Sequence, residues 1–297
     1  MGKINSAVMF KRSCIHNLRI TSVSKAQNGI DEGLVIPESI LALSDILPFE
    51  QIIVTNIRGK NWDNRVVSFA IPGTEEGLIE ARGSLAHLFR EGDLICVISR
   101  SYLDNEVGMK SFKEDKLALV DVGFDPSSNL NNASKDGNIC YEYCSKKNPT
   151  KNLNSDILAL REKLLPRILL SHLLLDLEVT ETHPDCLQGS AELPGVIMEA
   201  AGLTRYQGVH VFNASIGGAS ETYAVPMPPG VVMTTGAMAN FAPIGTLTHV
   251  SSFNMGSSII AKPCILKISN KNMKFARIDI SDRITDTYAS SLELSST

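Results

Sequence analysis

The stretch TGAMANFAPIGTLTHVSSFN at residues 235–254 has a counterpart earlier in the same chain, RGSLAHLFREGDLICVISRS at residues 82–101. The match sets Gly83 against Gly236, so a glycine that can form a turn recurs at the same place. Glycines that mark turns at a fixed spacing in two parts of one chain are typical of an internal repeat.

The similarity continues on the N-terminal side of both stretches. VVSFAIPG (66–73) matches SETYAVPM (220–227), and LRITSVSKAQNGIDEGLVIPESIL (18–41) matches LEVTETHPDCLQGSAELPGVIMEA (177–200). Because the order and the spacing hold over roughly a hundred residues, the sequence predicts a tandem duplication. We call the two halves copy one and copy two.

Each copy is dominated by short β-rich runs, such as QIIVTN (51–56) in copy one and GVHVFNAS (208–215) in copy two. Single short helices are predicted between the runs, at PESILALSDIL (37–47) and at PGVIMEAAG (194–202), which ends on the C-capping residue Gly202. The sequence therefore predicts a mainly β chain folded as two tandem small barrels with short helices.

Composition divides the chain further. The segment 125–156 is rich in Asn, Ser, Lys and Gly and cannot bury enough apolar surface to order itself, so it is predicted to be a linker. The expected organisation is a first barrel at 1–126, a polar linker at 127–156, a second barrel at 157–271 and a C-terminal tail at 272–297.

Composition also argues against several functional classes. The 297 residues carry a formal net charge of −4 and no long basic run, which disfavours nucleic-acid binding. No apolar stretch is long enough to cross a membrane or to act as a signal peptide. The six cysteines and six histidines are scattered without metal-ligand spacing. We expect a cytoplasmic protein with reduced thiols and no metal, nucleic-acid or membrane partner.

The segment DCLQGSAELPG at 185–195 contains Gly189-Ser190. The default interpretation of this pair is a turn, because glycine adopts unusual dihedral angles and serine bonds nearby backbone. The pair also recurs at 83–84 and 256–257, so only its surroundings can give it a special meaning.

Those surroundings resemble a known family. Copy two is similar to the pyruvoyl-dependent aspartate α-decarboxylases through MEAAGL, VFNAS, TYAV and GAMAN followed by IGTLTHVSSF, and copy one is similar at a lower level. The resemblance implies double-psi β-barrels that assemble four to a ring. It also implies that the Ser190 hydroxyl attacks the Gly189 carbonyl, cuts the chain there and leaves a pyruvoyl cofactor on residue 190.

The same resemblance assigns roles to four further residues of copy two. Thr222 matches the residue that assists self-cleavage, and Tyr223 matches the proton donor of the decarboxylation. Gly236 and Ala237 match the backbone that lines the pocket. Without the resemblance, Tyr223 would be equally well explained as a strand residue with its hydroxyl at the rim.

Copy one lacks this machinery but keeps other residues. At the cleavage position copy one reads Gly29-Ile30, and isoleucine has no hydroxyl that could attack. Copy one retains Arg65, which the resemblance assigns to the substrate carboxylate, and His16. We expect one active site to combine residues of both copies, and a homodimer to form a ring of four barrels. The alternative for Arg65 is a solvated hairpin residue.

Departures from the family leave the substrate open. The substrate-contacting lysine of the family aligns with Cys14 in copy one and Leu173 in copy two, and its pocket asparagine aligns with Thr235. The expected substrate is a small amino acid, with L-aspartate to β-alanine as one candidate reaction. The competing hypothesis is a catalytically degenerate double-psi barrel that binds or regulates a partner.

Overall fold

The strands of the described residues form two β-sheets of nine strands each. The structure, a computed structural model, describes residues 7–24, 30–44, 46–57, 65–104, 118–122, 139–143, 167–187, 189–256, 262–269 and 271–280. One sheet belongs to copy one and the other to copy two, so the sequence repeat is also a structural repeat.

In the described residues, copy one contains nine strands and two short helices. In chain order these are β1 (Ala7–Arg19), β2 (Ser22–Ser24), β3 (Gly33–Pro37), α1 (Glu38–Leu43), β4 (Gln51–Asn56), β5 (Arg65–Gly73), β6 (Glu80–Arg82), α2 (Leu85–Leu88), β7 (Leu94–Asp104), β8 (Ala118–Val122) and β9 (Ile139–Tyr143).

Copy two repeats this series. Its elements are β10 (Arg167–Glu178), β11 (Glu181–His183), β12 (Ala191–Pro194), α3 (Gly195–Ala201), β13 (Gly208–Asn213), β14 (Ala219–Met227), β15 (Met233–Thr235), α4 (Ala237–Phe241), β16 (Leu247–Gly256), β17 (Cys264–Ser269) and β18 (Lys274–Ile278). Helix α3 ends at Gly202, which has the left-handed φ of 80° that favours glycine at a helix end.

The strand order is the same in both sheets once each strand of copy one is replaced by its counterpart. Copy one runs β2-β6-β3-β5-β4-β7-β1-β8-β9, and copy two runs β11-β15-β12-β14-β13-β16-β10-β17-β18. The parallel pairs also correspond, with β3–β5 matching β12–β14 and β1–β8 matching β10–β17. The prediction of a mainly β chain with two tandem barrels and short helices is confirmed.

Strand register corrects the predicted cleavage position of copy one. In copy one, Gly33 pairs with Arg82 on β6. In copy two, the Ser190 carbonyl oxygen accepts a hydrogen bond from the amide of Thr235, the residue of β15 that corresponds to Arg82. Gly33 is therefore the counterpart of Ser190, and the prediction of Ile30 was wrong; its neighbour Gly29 lies outside the described residues. Copy one has two more residues than copy two in the preceding loop, which the ungapped sequence match could not accommodate.

Each barrel has its own apolar core, and a third cluster lies between the barrels. Alternation of side chains along the strands puts one set inside each barrel and leaves the other set for the outer surface. The third cluster joins Val35, Phe49, Phe69 and Ile71 of copy one to Leu170, Leu173, Leu175 and Ile265 of copy two. Burying a large apolar side chain contributes about 1.5–3 kcal/mol, so this cluster holds the two copies together.

Polar contacts reinforce the same junction. The Leu170 amide donates to the Phe49 carbonyl at 2.9 Å. The Arg167 guanidinium lies 3.1 Å from the Glu50 carboxylate, and both side chains are buried. Because copy one meets copy two through β10 and its neighbours, this face of copy two is not available to another molecule.

The segments predicted to be a linker and a tail each contain a strand. Strand β9 lies within 127–156 and pairs with β8, and β18 lies within 272–297 and pairs with β17. Each of these outer strands pairs antiparallel with the strand that precedes it in the chain, and the polar composition of the two segments did not reveal the strands. The domain boundaries themselves stay a prediction.

Candidate active site

The Gly189-Ser190 bond is held at the start of β12 by a neighbouring strand. The Ser190 amide donates to Thr235 Oγ1 at 2.9 Å, and the Thr235 amide donates to the Ser190 carbonyl at 3.2 Å. Ser190 is only 8% exposed and Thr235 only 2%. Ser190 is therefore held through both its amide and its carbonyl in a largely dry environment.

A hydroxyl contacts the carbonyl that would be attacked. Thr222 on β14 donates its Oγ1 hydrogen to the Gly189 oxygen at 2.5 Å. A donor at this oxygen stabilises the negative charge that develops when a nucleophile adds to the carbonyl carbon. The structure thus brings together Gly189, Ser190 and Thr222, three of the residues that the sequence predicts.

The Ser190 hydroxyl has two partners that the sequence did not predict as site residues. Its Oγ lies 2.8 Å from Thr235 Oγ1 and donates to Glu192 Oε1 at 3.2 Å. Residues two apart on a strand share a face, so the Glu192 contact was detectable from the strand period once the serine was chosen. The Thr235 contact needed the β12–β15 pairing.

Tyr223 is placed differently from Thr222. Successive strand residues point to opposite faces, and Tyr223 is 59% exposed while Thr222 is buried. Among the described residues no hydrogen bond or ion pair joins the Tyr223 side chain to the Ser190 group. Within one chain, Tyr223 therefore stands beside the site with its side chain open to solvent.

The predicted pocket backbone lies next to the bond. Gly236 has φ 53° and ψ −131°, a conformation that strongly favours glycine, and its amide donates to the His183 carbonyl at 2.9 Å. A β-carbon added to Gly189 would lie 3.7 Å from the Ala237 nitrogen. The turn thus brings the Ala237 backbone close to Gly189, and the role of Ala237 in lining a pocket stays a prediction.

The corresponding place in copy one is filled by a carboxylate. Glu32, the counterpart of Gly189, accepts hydrogen bonds from the Ser84 amide at 2.9 Å and from the Ser84 hydroxyl at 2.7 Å. The same carboxylate lies 3.1 Å from His249 Nδ1 of copy two. Glu32 is completely buried, so copy one has an occupied, inaccessible version of the site.

His249 is the centre of an ion network between the copies. Its Nε2 lies 3.4 Å from the Asp176 carboxylate, an ion-pair contact longer than a good hydrogen bond. Lys267 lies 2.8 Å from Asp31 and 3.4 Å from Asp176. Burial by itself would lower the pKa of His249, but the contacts with Asp176 and Glu32 and the charges of these two carboxylates outweigh it and raise that pKa to about 9.

The aspartate decarboxylase family model matches this chain twice, at residues 7–122 and at residues 166–274. The chain belongs to the aspartate decarboxylase family. Two separate matches, each covering one barrel, confirm the predicted duplication.

Bacterial relatives each align with part of the chain. The aspartate 1-decarboxylase of Thermoanaerobacter pseudethanolicus is 33% identical over 116 residues, which are 39% of this chain and 92% of the relative. That of Campylobacter jejuni subsp. doylei is 33% identical over 129 residues, 43% of this chain and 94% of the relative. This chain is thus long enough for two copies of such an enzyme.

Arg65 and His16 are the residues of copy one that the sequence predicts to bind substrate. Arg65 begins β5 and is exposed, and His16 is half-buried on β1. Their counterparts in copy two, Ala219 and Leu175, both pack at the junction between the copies. No hydrogen bond or ion pair of the described residues joins Arg65 to Ser190.

The position of the family lysine is apolar or sulfur-bearing in both copies. Leu173 is completely buried at the junction. Cys14 is buried on β1, with its Sγ 3.2 Å from Cys96 Sγ. Neither copy therefore has an ammonium group at the strand position of the family lysine.

The described residues contain neither a cluster that could hold a metal ion nor a helix that could span a membrane. No group of three or more His, Cys, Asp or Glu side chains in that part of the chain could hold a metal ion. None of its helices is long and apolar enough to span a membrane.

Proposed function

We propose that this chain cuts itself between Gly189 and Ser190 and thereby becomes a pyruvoyl-dependent decarboxylase of a small amino acid. The observation that carries the proposal is the arrangement around one Gly-Ser bond. Thr222 donates to the Gly189 carbonyl at 2.5 Å while the buried Ser190 hydroxyl is held by hydrogen bonds beside it.

The proposed self-cleavage uses groups that the chain already holds in place. Ser190 Oγ adds to the Gly189 carbonyl carbon, and Thr222 stabilises the charge that develops on the oxygen. The amide bond then breaks, leaving residues 1–189 joined to Ser190 through an ester. Elimination of the ester and loss of ammonia, with uptake of water, leave a pyruvoyl group at residue 190.

A pyruvoyl group supplies a conjugated carbonyl that accepts the electron pair left when carbon dioxide departs. The chain supplies binding and protons. Tyr223 is proposed to donate the proton that replaces the carboxylate, with Gly236 and Ala237 lining the pocket. The Tyr223 side chain is exposed in a single chain, which fits a position at a surface that a second chain covers.

We propose that Arg65 reaches this site from a partner chain. Inside one chain, the cleavage-site side of copy one packs against β10, β16 and β17 of copy two. The equivalent side of copy two carries Ser190, and the equivalent face of copy one carries His16 and Cys14. Joining these two surfaces between chains repeats the internal contact and closes a dimer of four barrels.

Such a homodimer has two complete sites, each formed by copy two of one chain and copy one of the other. A guanidinium binds a carboxylate with two parallel hydrogen bonds, so Arg65 suits an amino-acid substrate. The alternative, a solvated Arg65 with no role in binding, predicts that its loss changes nothing. L-aspartate is the first substrate to test.

Denaturing mass spectrometry of the purified full-length protein tests this proposal. We expect two fragments, residues 1–189 and 190–297, with the smaller one blocked at its N-terminus by a ketone. Ser190→Ala should remain a single folded chain. Cleavage at residue 189 in that variant would refute the proposed self-cleavage mechanism. An uncut wild-type chain that releases no carbon dioxide from amino acids would refute the proposed decarboxylase.

Light scattering tests the assembly separately. A particle of two chains is expected for both the wild type and Ser190→Ala, because the interface does not depend on cleavage. A stable monomer, or a particle of four chains, would contradict the ring of four barrels.

A second function is favoured by one observation. Cys14 and Leu173 replace the family lysine, so a substrate contact of the family is missing. A degenerate barrel that binds a ligand or partner without chemistry would account for this loss. It predicts an uncut chain, so the mass spectrum distinguishes the two candidates.

A further inference from the structure

Glu192 is the carboxylate nearest in sequence to the serine that is proposed to attack. It stands on β12 two residues after Ser190, and its Oε1 accepts the Ser190 hydroxyl at 3.2 Å. A serine hydroxyl is a weak nucleophile until a neighbouring base removes its proton. The Thr222 hydroxyl donates its hydrogen bond to the Gly189 carbonyl, so Thr222 does not serve as that base.

The repeat provides an internal comparison. The strand pairing of β3 with β5 and of β12 with β14 makes Val35 the counterpart of Glu192, and Gly33 the counterpart of Ser190. Val35 is buried in the apolar cluster between the copies. The copy with the serine therefore has a carboxylate at this strand position, and the copy without the serine has an apolar side chain.

Thr235 completes the arrangement. Its Oγ1 accepts the Ser190 amide hydrogen at 2.9 Å and lies 2.8 Å from Ser190 Oγ. Since the Ser190 hydroxyl donates to Glu192, Thr235 is left to donate its own hydrogen to Ser190 Oγ. One threonine hydroxyl thus fixes both the attacking oxygen and the nitrogen of the bond that breaks.

We infer that Glu192 is the general base of the self-cleavage and that Thr235 positions Ser190 for it. This inference rests on the proposed function and names the residue that activates its serine. Glu192 touches a reacting atom, whereas Thr235 acts by holding that atom in place.

The step is balanced within the chain. Glu192 takes the proton of Ser190 Oγ as the Oγ–carbon bond to Gly189 forms. The bond between the Gly189 carbon and the Ser190 nitrogen then breaks, and the proton returns to this nitrogen, which becomes an amine. No oxidant, reductant or second substrate is needed to reach the ester.

The experiment follows the appearance of the two fragments after a pulse of cell-free synthesis of the full chain. Glu192→Gln keeps the shape of the side chain and removes its basicity, so its cleavage should be about 10²–10⁴-fold slower than that of the wild type. Glu192→Asp should retain a rate between the two. Glu199→Gln, an exposed change on the following helix, should cleave like the wild type.

A chemical rescue separates a base from a structural residue. Sodium formate should accelerate cleavage of Glu192→Ala in a concentration-dependent way, because a small carboxylate can occupy the vacated space. It should not accelerate Ser190→Ala, which has no nucleophile. Thr235→Val should be slow but insensitive to formate, because it keeps the base and loses the hydroxyl that holds the serine.

The outcomes distinguish this inference from the proposed function. Cleavage of Glu192→Gln at the wild-type rate, or no formate rescue of a slow Glu192→Ala variant, overturns the role of Glu192 while the self-cleaving enzyme stands. A wild-type chain that never cleaves overturns both. Slow Glu192→Gln cleavage together with formate rescue of Glu192→Ala supports the inference.

Discussion

His249 should make the stability of this protein fall with rising pH in the alkaline range. Its imidazole is buried between Glu32 of copy one and Asp176 of its own copy. The folded protein raises the pKa of His249 from 6.5 to about 9. A raised pKa means that folding favours the charged form, so this contribution is fully present below pH 6.5 and disappears as the pH rises through about 9.

The size of the effect follows from the gap between the two values. Between the two pKa values each pH unit changes the free energy of unfolding by at most about 1.4 kcal/mol, so raising the pH from 7 to 9, where the folded protein has half of its His249 titrated, should cost about 2 kcal/mol. Asp176 and Lys267 keep their charges in this window, because the contact with His249 lowers the pKa of Asp176 and a hydrogen bond to Asp31 raises the pKa of Lys267.

Urea unfolding between pH 7 and 10 measures this contribution. All chains would carry Ser190→Ala so that cleavage does not alter the reference state. His249→Gln should be less stable than its parent by about 3 kcal/mol at pH 7, because it leaves buried carboxylates without their cation, and the difference should shrink towards pH 10. The control His183→Gln changes an exposed histidine and should follow the parent. Parallel stability curves for His249→Gln and its parent would refute the reasoning.

Three further changes test the site and the junction. Arg65→Ala should cleave normally but lose substrate affinity worth about 2–5 kcal/mol. Mixed dimers of one Arg65→Ala chain and one Ser190→Ala chain should regain one complete site. Mixed dimers without activity would exclude a site shared between chains. Tyr223→Phe should also cleave normally and bind substrate nearly unchanged while turnover falls, as single-turnover kinetics would show; unchanged turnover would remove its role as proton donor. Gly83→Ala should unfold at a temperature well below that of Gly92→Ala. A β-carbon at residue 83 would meet the Asp31 carbonyl, whereas one at residue 92 would face open space. Equal melting temperatures would contradict the close packing at Gly83.

The sequence by itself determined the features that depend on local pattern. Matching glycines and strand runs predicted two similar β-barrels, because turn geometry and side-chain alternation leave a direct trace in the residues. The resemblance of copy two to the family predicted Gly189, Ser190 and Thr222 as one site, and the structure brings these three residues into contact.

Only the tertiary structure decided which surfaces meet. Strand register shows that the cleavage counterpart of copy one is Gly33 and not the predicted Ile30, and that two extra residues precede it, which composition does not reveal. Burial of Glu32 against His249 joins residues 217 positions apart, and the Thr235 contact with Ser190 needs the pairing of β12 with β15. Such contacts depend on how distant strands pack, because the energy of a buried charge or hydroxyl is set by the groups brought to it and not by its neighbours in sequence.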